Sequence, residues 1–346
     1  MSLRPETEPL VVPGSLMLLL AAGVSHTPPA PLAHTFSIVA RDSATGEMGV
    51  AVQSHYFSVG PIVPWAEAGV GAIATQSLVL VDYGPDGLDL MRRGFSARQA
   101  LDSLLAADAH NEGRQVAMVD AKGNVAAYTG PKCIPFAGQH TGAQYSAQAN
   151  LMASDRVWPA MAEAYEHAQG DLAERLMQAL EAAQKAGGDI RGKQSAAIVV
   201  VSAQSTGKPW NDRLFDLRVE DHPEPLKELR RLIRLKRAYR LEDQGDDFIS
   251  QKMFPEAMQA YEQAMKLAPE VNELVFWAAV SMYTNGRKDE ALQLFPKVYA
   301  KEPQYRDLVP RLVKAGLFPD DPKAIAEVRG AGTRRFLLGG QTSGPH

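Results

Sequence analysis

The sequence predicts an α+β fold in which antiparallel sheets are layered with helices, followed by an all-α helical region. Two observations lead to this prediction. Up to about residue 221, strands and helices are expected in alternating clusters, an order that suits antiparallel sheets better than a doubly wound parallel sheet. Beyond that point the chain becomes charged and helical, and a spacing of 34 residues recurs.

The first predicted element is a β-hairpin. Residues 35–41 and 48–54 are rich in β-forming residues, and residues 42–47 between them carry turn chemistry. The first strand begins with a threonine, Thr35, and the second strand ends on the polar cluster Gln53-Ser54-His55. A threonine at the amino terminus of a mature chain can act as a nucleophile, with its own α-amine as the base.

The elements after this hairpin follow from apolar patterning and from turn and cap residues. Ser96 is suited to cap a helix at its amino end, and Gly94 is suited to end the helix before it. The predicted elements are, in chain order, a strand at 70–77, helices at 83–93 and 96–107, a hairpin of 114–120 with 125–129, a strand at 144–150, a long helical block at 155–186, and strands at 195–201 and 214–219.

Composition excludes several classes of protein. The hydrophobic fraction of 45% and the charged fraction of 22% are typical of a globular protein. A net charge of −4 does not indicate a nucleic-acid-binding surface. The single cysteine, Cys133, excludes an internal disulfide and a cysteine-based zinc site, and is expected to be a small buried residue. Without a phosphate-binding loop or a two-histidine zinc motif, the sequence predicts neither a cofactor nor a metal.

Residues 1–33 are predicted to be a signal-peptide-like or disordered leader. Residues 16–24 form an apolar run of the length found in signal peptides, and a Pro-rich segment, 27–33, follows. This run is well short of the roughly 20 residues that a membrane-spanning helix needs, so no integral membrane span is expected. If the leader is cleaved, the protein is exported to the periplasm or the exterior; otherwise it is cytoplasmic.

Residues 222–329 are predicted to be a helical linker with two tetratricopeptide-like repeats. Helices at 223–239 and 305–315 are expected to cover the ends of the repeats, and the tail 330–346 is expected to be disordered. The repeated positions are the pairs Ala257 and Ala291, Tyr261 and Phe295, Ala264 and Val298, and Pro269 and Pro303.

Six sequence blocks that begin at Thr35 and end at about Arg231 indicate a family. They are TFSIVARD, TGEMGVAVQSHYFSVG, VPWAEAGVGAIATQ, YGPDGLDLMRRG, GDIRGKQSAA and WNDRLFDLRVEDHPEPLKELRRL. Across these blocks the chain resembles the bacterial and archaeal domain-of-unknown-function family 1028. The resemblance implies a four-layer αββα sandwich over residues 34–221, similar to the N-terminal-nucleophile (Ntn) hydrolases. In that superfamily the nucleophile is a terminal residue at the start of the first strand, and Thr35 matches that position.

Two hypotheses of different kinds follow. The first is an Ntn-type amidohydrolase for a small amide or peptide-like substrate, in which Thr35 attacks the carbonyl and Asn150, with backbone N–H groups, stabilises the oxyanion. The residues expected to line its substrate site are Ser54, His55, Gln76, Asp189 and Arg191.

The second hypothesis is a non-catalytic ligand-binding or protein-interaction module. In this case the repeats recruit a protein partner or mediate self-association, and Thr35 is an ordinary strand residue. Which hypothesis applies depends on how the chain in front of Thr35 is processed, because a signal peptidase cut after Ala33 leaves His34 at the terminus. Trimming of His34, self-cleavage of the His34–Thr35 bond, and a non-catalytic Thr35 remain as alternatives.

Overall fold

The computed structural model describes residues 32–333. The predicted leader up to residue 31 and the predicted tail from residue 334 lie outside the described residues. Within the described part the fold is mixed α/β: two antiparallel sheets with packed helices are followed by a helical carboxyl-terminal region. At this level the predicted fold class is confirmed.

The strands form two sheets in the described part of the chain. One sheet has the order β11-β10-β3-β2-β9-β8; the other has the order β1-β5-β6-β7, with β4 also paired to β5. The strands are β1 (Leu32–Ala33), β2 (Thr35–Arg41), β3 (Met48–Ser54), β4 (Pro64–Glu67), β5 (Gly71–Leu78), β6 (Arg114–Asp120), β7 (Val125–Thr129), β8 (Gly138–Gly142), β9 (Tyr145–Ala149), β10 (Ser195–Val201) and β11 (Arg213–Val219).

The helices fall into pairs on the sheets and a series after them. Helices α1 and α2 pack on β5 and β6, α3 and α4 pack on β2, β3 and β9, and α6 to α11 form most of the carboxyl-terminal region. They are α1 (Tyr83–Arg92), α2 (Ala97–Ala107), α3 (Val157–His167), α4 (Leu172–Lys185), α5 (Pro209–Asp212), α6 (Pro225–Ser250), α7 (Phe254–Leu267), α8 (Asn272–Thr284), α9 (Lys288–Lys301), α10 (Tyr305–Lys314) and α11 (Pro322–Gly330).

Alternation along β2 divides the core into layers. Ile38 belongs to the apolar cluster that includes Leu176 of α4, whereas its neighbour Val39 belongs to the cluster that includes Ala74 of β5. Successive side chains of a strand point to opposite faces, so one face of β2 packs on helices and the other on the second sheet. The sheet residues near the start of β2 are therefore covered on both sides.

The predicted ends of the first two helices are confirmed. Ser96 caps α2: its Oγ accepts a hydrogen bond from the backbone N of Gln99, whose side chain accepts one from the backbone N of Ser96. Gly94 follows α1 with a φ of +98°, a conformation that glycine adopts without a steric penalty.

Other element predictions are corrected by the structure. The helical block expected at 155–186 is two helices, because Gly170 adopts a φ of +107° and Asp171 caps a new helix by accepting a hydrogen bond from Glu174 N at 2.8 Å. The short strands β4 and β8 were not predicted, because neither shows the apolar alternation of a strand buried on one face.

Helix α6 is longer than predicted. The expected helix at 223–239 continues through Gly245 to Ser250 as one helix of 26 residues. A Cβ on Gly245 would lie 2.4 Å from a ring carbon of Tyr261, so close packing of α7 requires a glycine at this position. In residues 32–333 no helix has the length and apolarity that crossing a membrane requires.

Arginines on α6 connect it to the sheet region. Arg230 pairs with Glu174 and Glu181 of α4, and Arg237 pairs with Asp171. These ion pairs stabilise one relative position of α6 and α4.

Candidate functional site

The chain crosses from one sheet to the other at His34. On one side of it, Ala33 pairs with Ser77 of β5; on the other side, Thr35 pairs with Ser54 of β3. This crossing places His34 between the two sheets, where only 3% of its surface is exposed. The peptide bond in front of Thr35 therefore lies in the interior, among side chains from both sheets.

The carbonyl oxygen of His34 accepts two side-chain hydrogen bonds. Ser54 Oγ donates at 2.6 Å and Arg191 Nη2 donates at 2.7 Å. Donors held on a carbonyl oxygen stabilise the negative charge that this oxygen acquires when a nucleophile adds to its carbon, and a guanidinium donor is stronger than a neutral one. The carbonyl of the His34–Thr35 bond therefore has one neutral and one charged donor, an arrangement that would stabilise an oxyanion at this atom.

Asp189 holds Arg191 in position. Its carboxylate accepts from Arg191 Nε at 3.0 Å, from Nη2 at 2.7 Å and from the backbone N of Arg191 at 2.9 Å. It also accepts from the backbone N of His55 at 3.2 Å, and its side chain has no exposed surface. With its carboxylate satisfied, Asp189 orients the guanidinium toward His34 without touching the carbonyl itself.

The imidazole of His34 meets Asn150, at 2.7 Å between Nδ1 and Oδ1. The orientation of the Asn150 amide follows from its neighbour Gln115. Because Gln115 Nε2 donates to the backbone carbonyls of Ala149 and Gly138, Gln115 Oε1 is the acceptor for Asn150 Nδ2, at 2.8 Å. Asn150 therefore presents its oxygen to His34, and Nδ1 of His34 carries the proton.

His34 is a neutral imidazole in this setting. Burial lowers its pKa, and the hydrogen bond to Asn150 opposes that effect only in part; the charge of Arg191 lowers the pKa further. Nε2 is then an acceptor, and within residues 32–333 this buried atom has no hydrogen-bond partner. The ring is thus held by a single hydrogen bond, at Nδ1.

Thr35 is fully buried at the start of β2. Its Oγ1 donates to the carbonyl of Ala33 at 2.9 Å, and its own carbonyl accepts from the backbone N of Asn150 and from Gln76 Nε2. Its nitrogen is an amide and cannot accept a proton. The α-amine that an N-terminal nucleophile needs exists only after the His34–Thr35 bond has been cut.

Gln76 contacts the carbonyl of Thr35 and not that of His34. Its Nε2 also donates to Gln115 Oε1 at 2.7 Å, and its Oε1 accepts from Ser37 Oγ at 2.6 Å. These contacts link the two sheets and fix the orientation of Gln115. Gln76 therefore acts on the site through the carbonyl of Thr35 and through Gln115, and not through His34.

The structure brings most of the predicted site residues together. Thr35, Ser54, Asn150, Asp189 and Arg191 surround the His34–Thr35 peptide, and Gln76 contacts the carbonyl of Thr35. His55 contacts this group only through its backbone N, which donates a hydrogen bond to Asp189, and its side chain is exposed. Asn150 presents an acceptor to His34, in place of the N–H donor expected of an oxyanion-stabilising group.

Two residues of the site, His34 and Gln115, were not among the predicted site residues. Gln115 pairs directly with Gln76 across β5 and β6, and it stands before the apolar run 116–119 of its strand. A glutamine at matched positions of two neighbouring strands is the sequence signal that could have indicated a buried polar pair. His34 carries no such signal, because its role depends on the crossing between the sheets.

Cys133 contacts the backbone carbonyls of Gly113 and Arg114 through its thiol. It is buried, and burial raises the pKa of its thiol, which suits the predicted role of a small buried residue. In residues 32–333 no group of three or more His, Cys, Asp or Glu side chains is placed to hold a metal ion.

Comparison with known proteins places the chain in a family. The model of DUF1028, a family of unknown function, matches residues 35–229, so the chain belongs to DUF1028. The structure is similar to the crystal structure of the DUF1028 protein SPO2555 from Silicibacter pomeroyi. That similarity has a TM-score of 0.52 and 31% sequence identity, and it covers 58% of this chain and 88% of the other. No curated protein matches the chain.

Proposed function

We propose that this chain is the precursor of an Ntn-type amidohydrolase for small amide or peptide-like substrates. Self-cleavage of the His34–Thr35 bond frees Thr35, which becomes the nucleophile. The observation that carries this proposal is the pair of donors, Ser54 Oγ and Arg191 Nη2, on the carbonyl of the bond in front of a buried threonine. Two facing antiparallel sheets with helices on their outer faces, and a family match that begins at Thr35, support it further.

Self-cleavage proceeds through an ester. Thr35 Oγ1 adds to the carbonyl carbon of His34, and the oxyanion is stabilised by Ser54 and Arg191. The C–N bond then breaks, and the nitrogen takes up the hydroxyl proton and becomes the α-amine of Thr35. Water adds to the ester that joins His34 to Thr35 Oγ1. The products are a leader that ends in the carboxylate of His34 and a chain that begins with a free Thr35.

The mature enzyme uses the same groups on an external amide. A free α-amine has a pKa near 8, so a useful fraction is neutral at pH 7 and can take the proton of Thr35 Oγ1. The substrate carbonyl then lies where the carbonyl of His34 lies in the precursor, against Ser54 and Arg191. An acyl-enzyme forms, the amine product leaves, and water releases the acid.

The mass and terminal sequence of the expressed full chain test this function. We expect a mature species that begins with Thr35 and hydrolyses amides. Thr141→Ala, at an exposed strand position, is the matched control and should be processed in the same way. A protein that hydrolyses amides while its His34–Thr35 bond is intact contradicts the proposal.

A second candidate function is a partner-binding module in the helical region, and one cavity favours it. A cavity of about 820 Å³ between α6, α8 and residues 316–319 is lined by Glu242, Asp246, Glu273 and Trp277. The repeated positions on α7 and α9, which pack behind the helices that line this groove, are buried, and this supports tetratricopeptide-like packing of the region. Carboxylates beside an aromatic ring suit a basic peptide.

Binding of a basic peptide to this groove should strengthen as the pH rises from 6 to 8. Burial and the charges of Asp246, Asp243 and Glu273 raise the pKa of Glu242 to about 7, so this carboxylate gains its charge within that range. We expect the double substitution Glu242→Gln and Glu273→Gln to weaken binding of a fluorescent Lys/Arg-rich peptide by about tenfold at pH 8. Fluorescence anisotropy measures this change. Equal binding of an acidic peptide would contradict recognition by charge.

A further inference from the structure

We propose that Leu32, Ala33 and His34 occupy the acyl-binding subsites of the mature enzyme. Its substrates are then extended peptides in which the residue before the cleaved bond carries a side-chain N–H donor in the place of the His34 imidazole. This inference rests on the proposed function, because it concerns the same site after the leader has left.

The groups that hold His34 lose their partner when the leader leaves. Ser54 Oγ and Arg191 Nη2 no longer have its carbonyl, and Asn150 Oδ1 no longer has its N–H. Buried polar groups without partners are unfavourable, and an occupant that satisfies all three is therefore preferred. A substrate residue does so when its carbonyl and its side-chain donor have the spacing found in His34.

The Asn150 oxygen determines which side chains fit. Its amide cannot turn over to offer a donor, because Nδ2 is required by Gln115 Oε1, and Gln115 is fixed by the two backbone carbonyls to which it donates. A carboxylate at this position would place two acceptors against each other, and an apolar side chain would leave the oxygen without a partner. The subsite thus selects a donor and rejects an aspartyl acyl group.

The two residues before His34 define the rest of the substrate. Ala33 is fully buried in the apolar core between the sheets and pairs with Ser77, so this position accepts a small side chain. Leu32 pairs with Leu78 but is 54% exposed, so this position is tolerant. Departure of the leader leaves the backbone groups at this end of β5 unpaired, and an extended peptide can pair with them as an added strand.

Four peptides test the subsite with the processed full chain. They are acetyl-Leu-Ala-X amides of a fluorescent amine, with X as His, Asn, Leu or Asp. Asn is informative because its Nδ2 is as many bonds from Cα as Nδ1 of His, while Asp and Leu have similar shapes without the donor. We expect the His and Asn peptides to be cleaved about tenfold faster than the Leu peptide, and the Asp peptide to be slowest.

Substitutions in the full chain provide a second measurement. His34→Asn should preserve self-cleavage, whereas His34→Leu and His34→Asp should slow it, as followed by intact mass. Asn150→Ala should remove the preference among the four peptides, and Asn211→Ala, at an exposed position, should keep it.

The failures of the two proposals are distinguishable. If the Leu peptide is cleaved as fast as the His peptide, in a reaction that requires Thr35, the subsite inference is wrong and the amidohydrolase proposal stands. The same holds if the processed chain hydrolyses small amides but none of the four peptides. If Thr35-dependent hydrolysis of every amide is absent, both proposals are wrong.

Discussion

Replacing Thr35 by alanine is expected to abolish both cleavage of the His34–Thr35 bond and hydrolysis of amides. In the proposed mechanism the hydroxyl is the attacking atom in both reactions, so its removal leaves no covalent route to either product. We expect a loss of about 10³-fold or more in each rate, since removal of a nucleophile has effects of that order or larger. Intact mass measures the first reaction, and release of a fluorescent amine measures the second.

The Thr35→Ala chain should still fold, which makes the result interpretable. In the precursor, Oγ1 makes one hydrogen bond, to the carbonyl of Ala33, and the loss of such a bond costs about 1 kcal/mol. Thr35→Ser, which keeps the hydroxyl, should retain cleavage, and Thr141→Ala should behave as the unmodified chain. Cleavage at the same bond in the Thr35→Ala chain would mean that another protease cuts there, and self-cleavage would be excluded.

Replacing Arg191 by methionine is expected to slow self-cleavage by about 10² to 10³-fold, the effect of removing one oxyanion donor. Arg191 supplies the charged donor to the His34 carbonyl, and Ser54 alone remains in the variant. The cleavage rate of Arg191→Lys should lie between those of the unmodified chain and the methionine variant. An ammonium keeps the charge but lacks the planar fork with which the guanidinium binds Asp189 and the carbonyl together. The measurement is the half-time of cleavage in freshly purified chain.

Controls for Arg191 separate chemistry from folding. The methionine variant leaves Asp189 buried without its cation, which is destabilising. The thermal stability of each variant should therefore be measured together with its cleavage rate. Arg191→Met combined with Asp189→Asn is expected to recover stability without recovering the cleavage rate. Arg98→Met, at an exposed ion pair of α2, is the matched surface control. A cleavage rate restored by Asp189→Asn would show that Arg191 has only a structural role.

Local chemistry made much of the fold predictable. Both hairpins and the first two helices follow from alternation, turn residues and caps, and each of these signals lies within a few residues of its effect. The break at Gly170 was missed because the apolar spacing of α3 and α4 continues through it. The length of α6 was missed because the helix at 223–239 was expected to end before the first repeat, whereas in the structure it continues to Ser250, with Gly245 packed against Tyr261.

The sequence predicted which residues form the candidate site better than it predicted how their side chains are oriented. Thr35 and Ser54 could be placed together because Thr35 begins the first strand of a hairpin and Ser54 ends the second. The resemblance to a family indicated Thr35 in particular. The orientation of Asn150 could not be predicted, because it depends on Gln115, which lies 35 residues away on the other sheet. The place of His34 depends on the pairing of only two residues of β1 with β5, which periodicity does not reveal.

The unbroken helix α6 connects the sheet region to the groove through one continuous helical backbone. At about 1.5 Å per residue its 26 residues extend for about 39 Å. About 24 Å of this length separates Arg230, which pairs with α4, from Asp246, which lines the groove. Each residue advances the helix by about 100°, so the number of residues between Arg230 and Asp246 determines the direction in which the groove faces relative to the sheets. In this chain a continuous helix therefore fixes the orientation of the groove relative to the sheets, an orientation that a flexible linker would not fix.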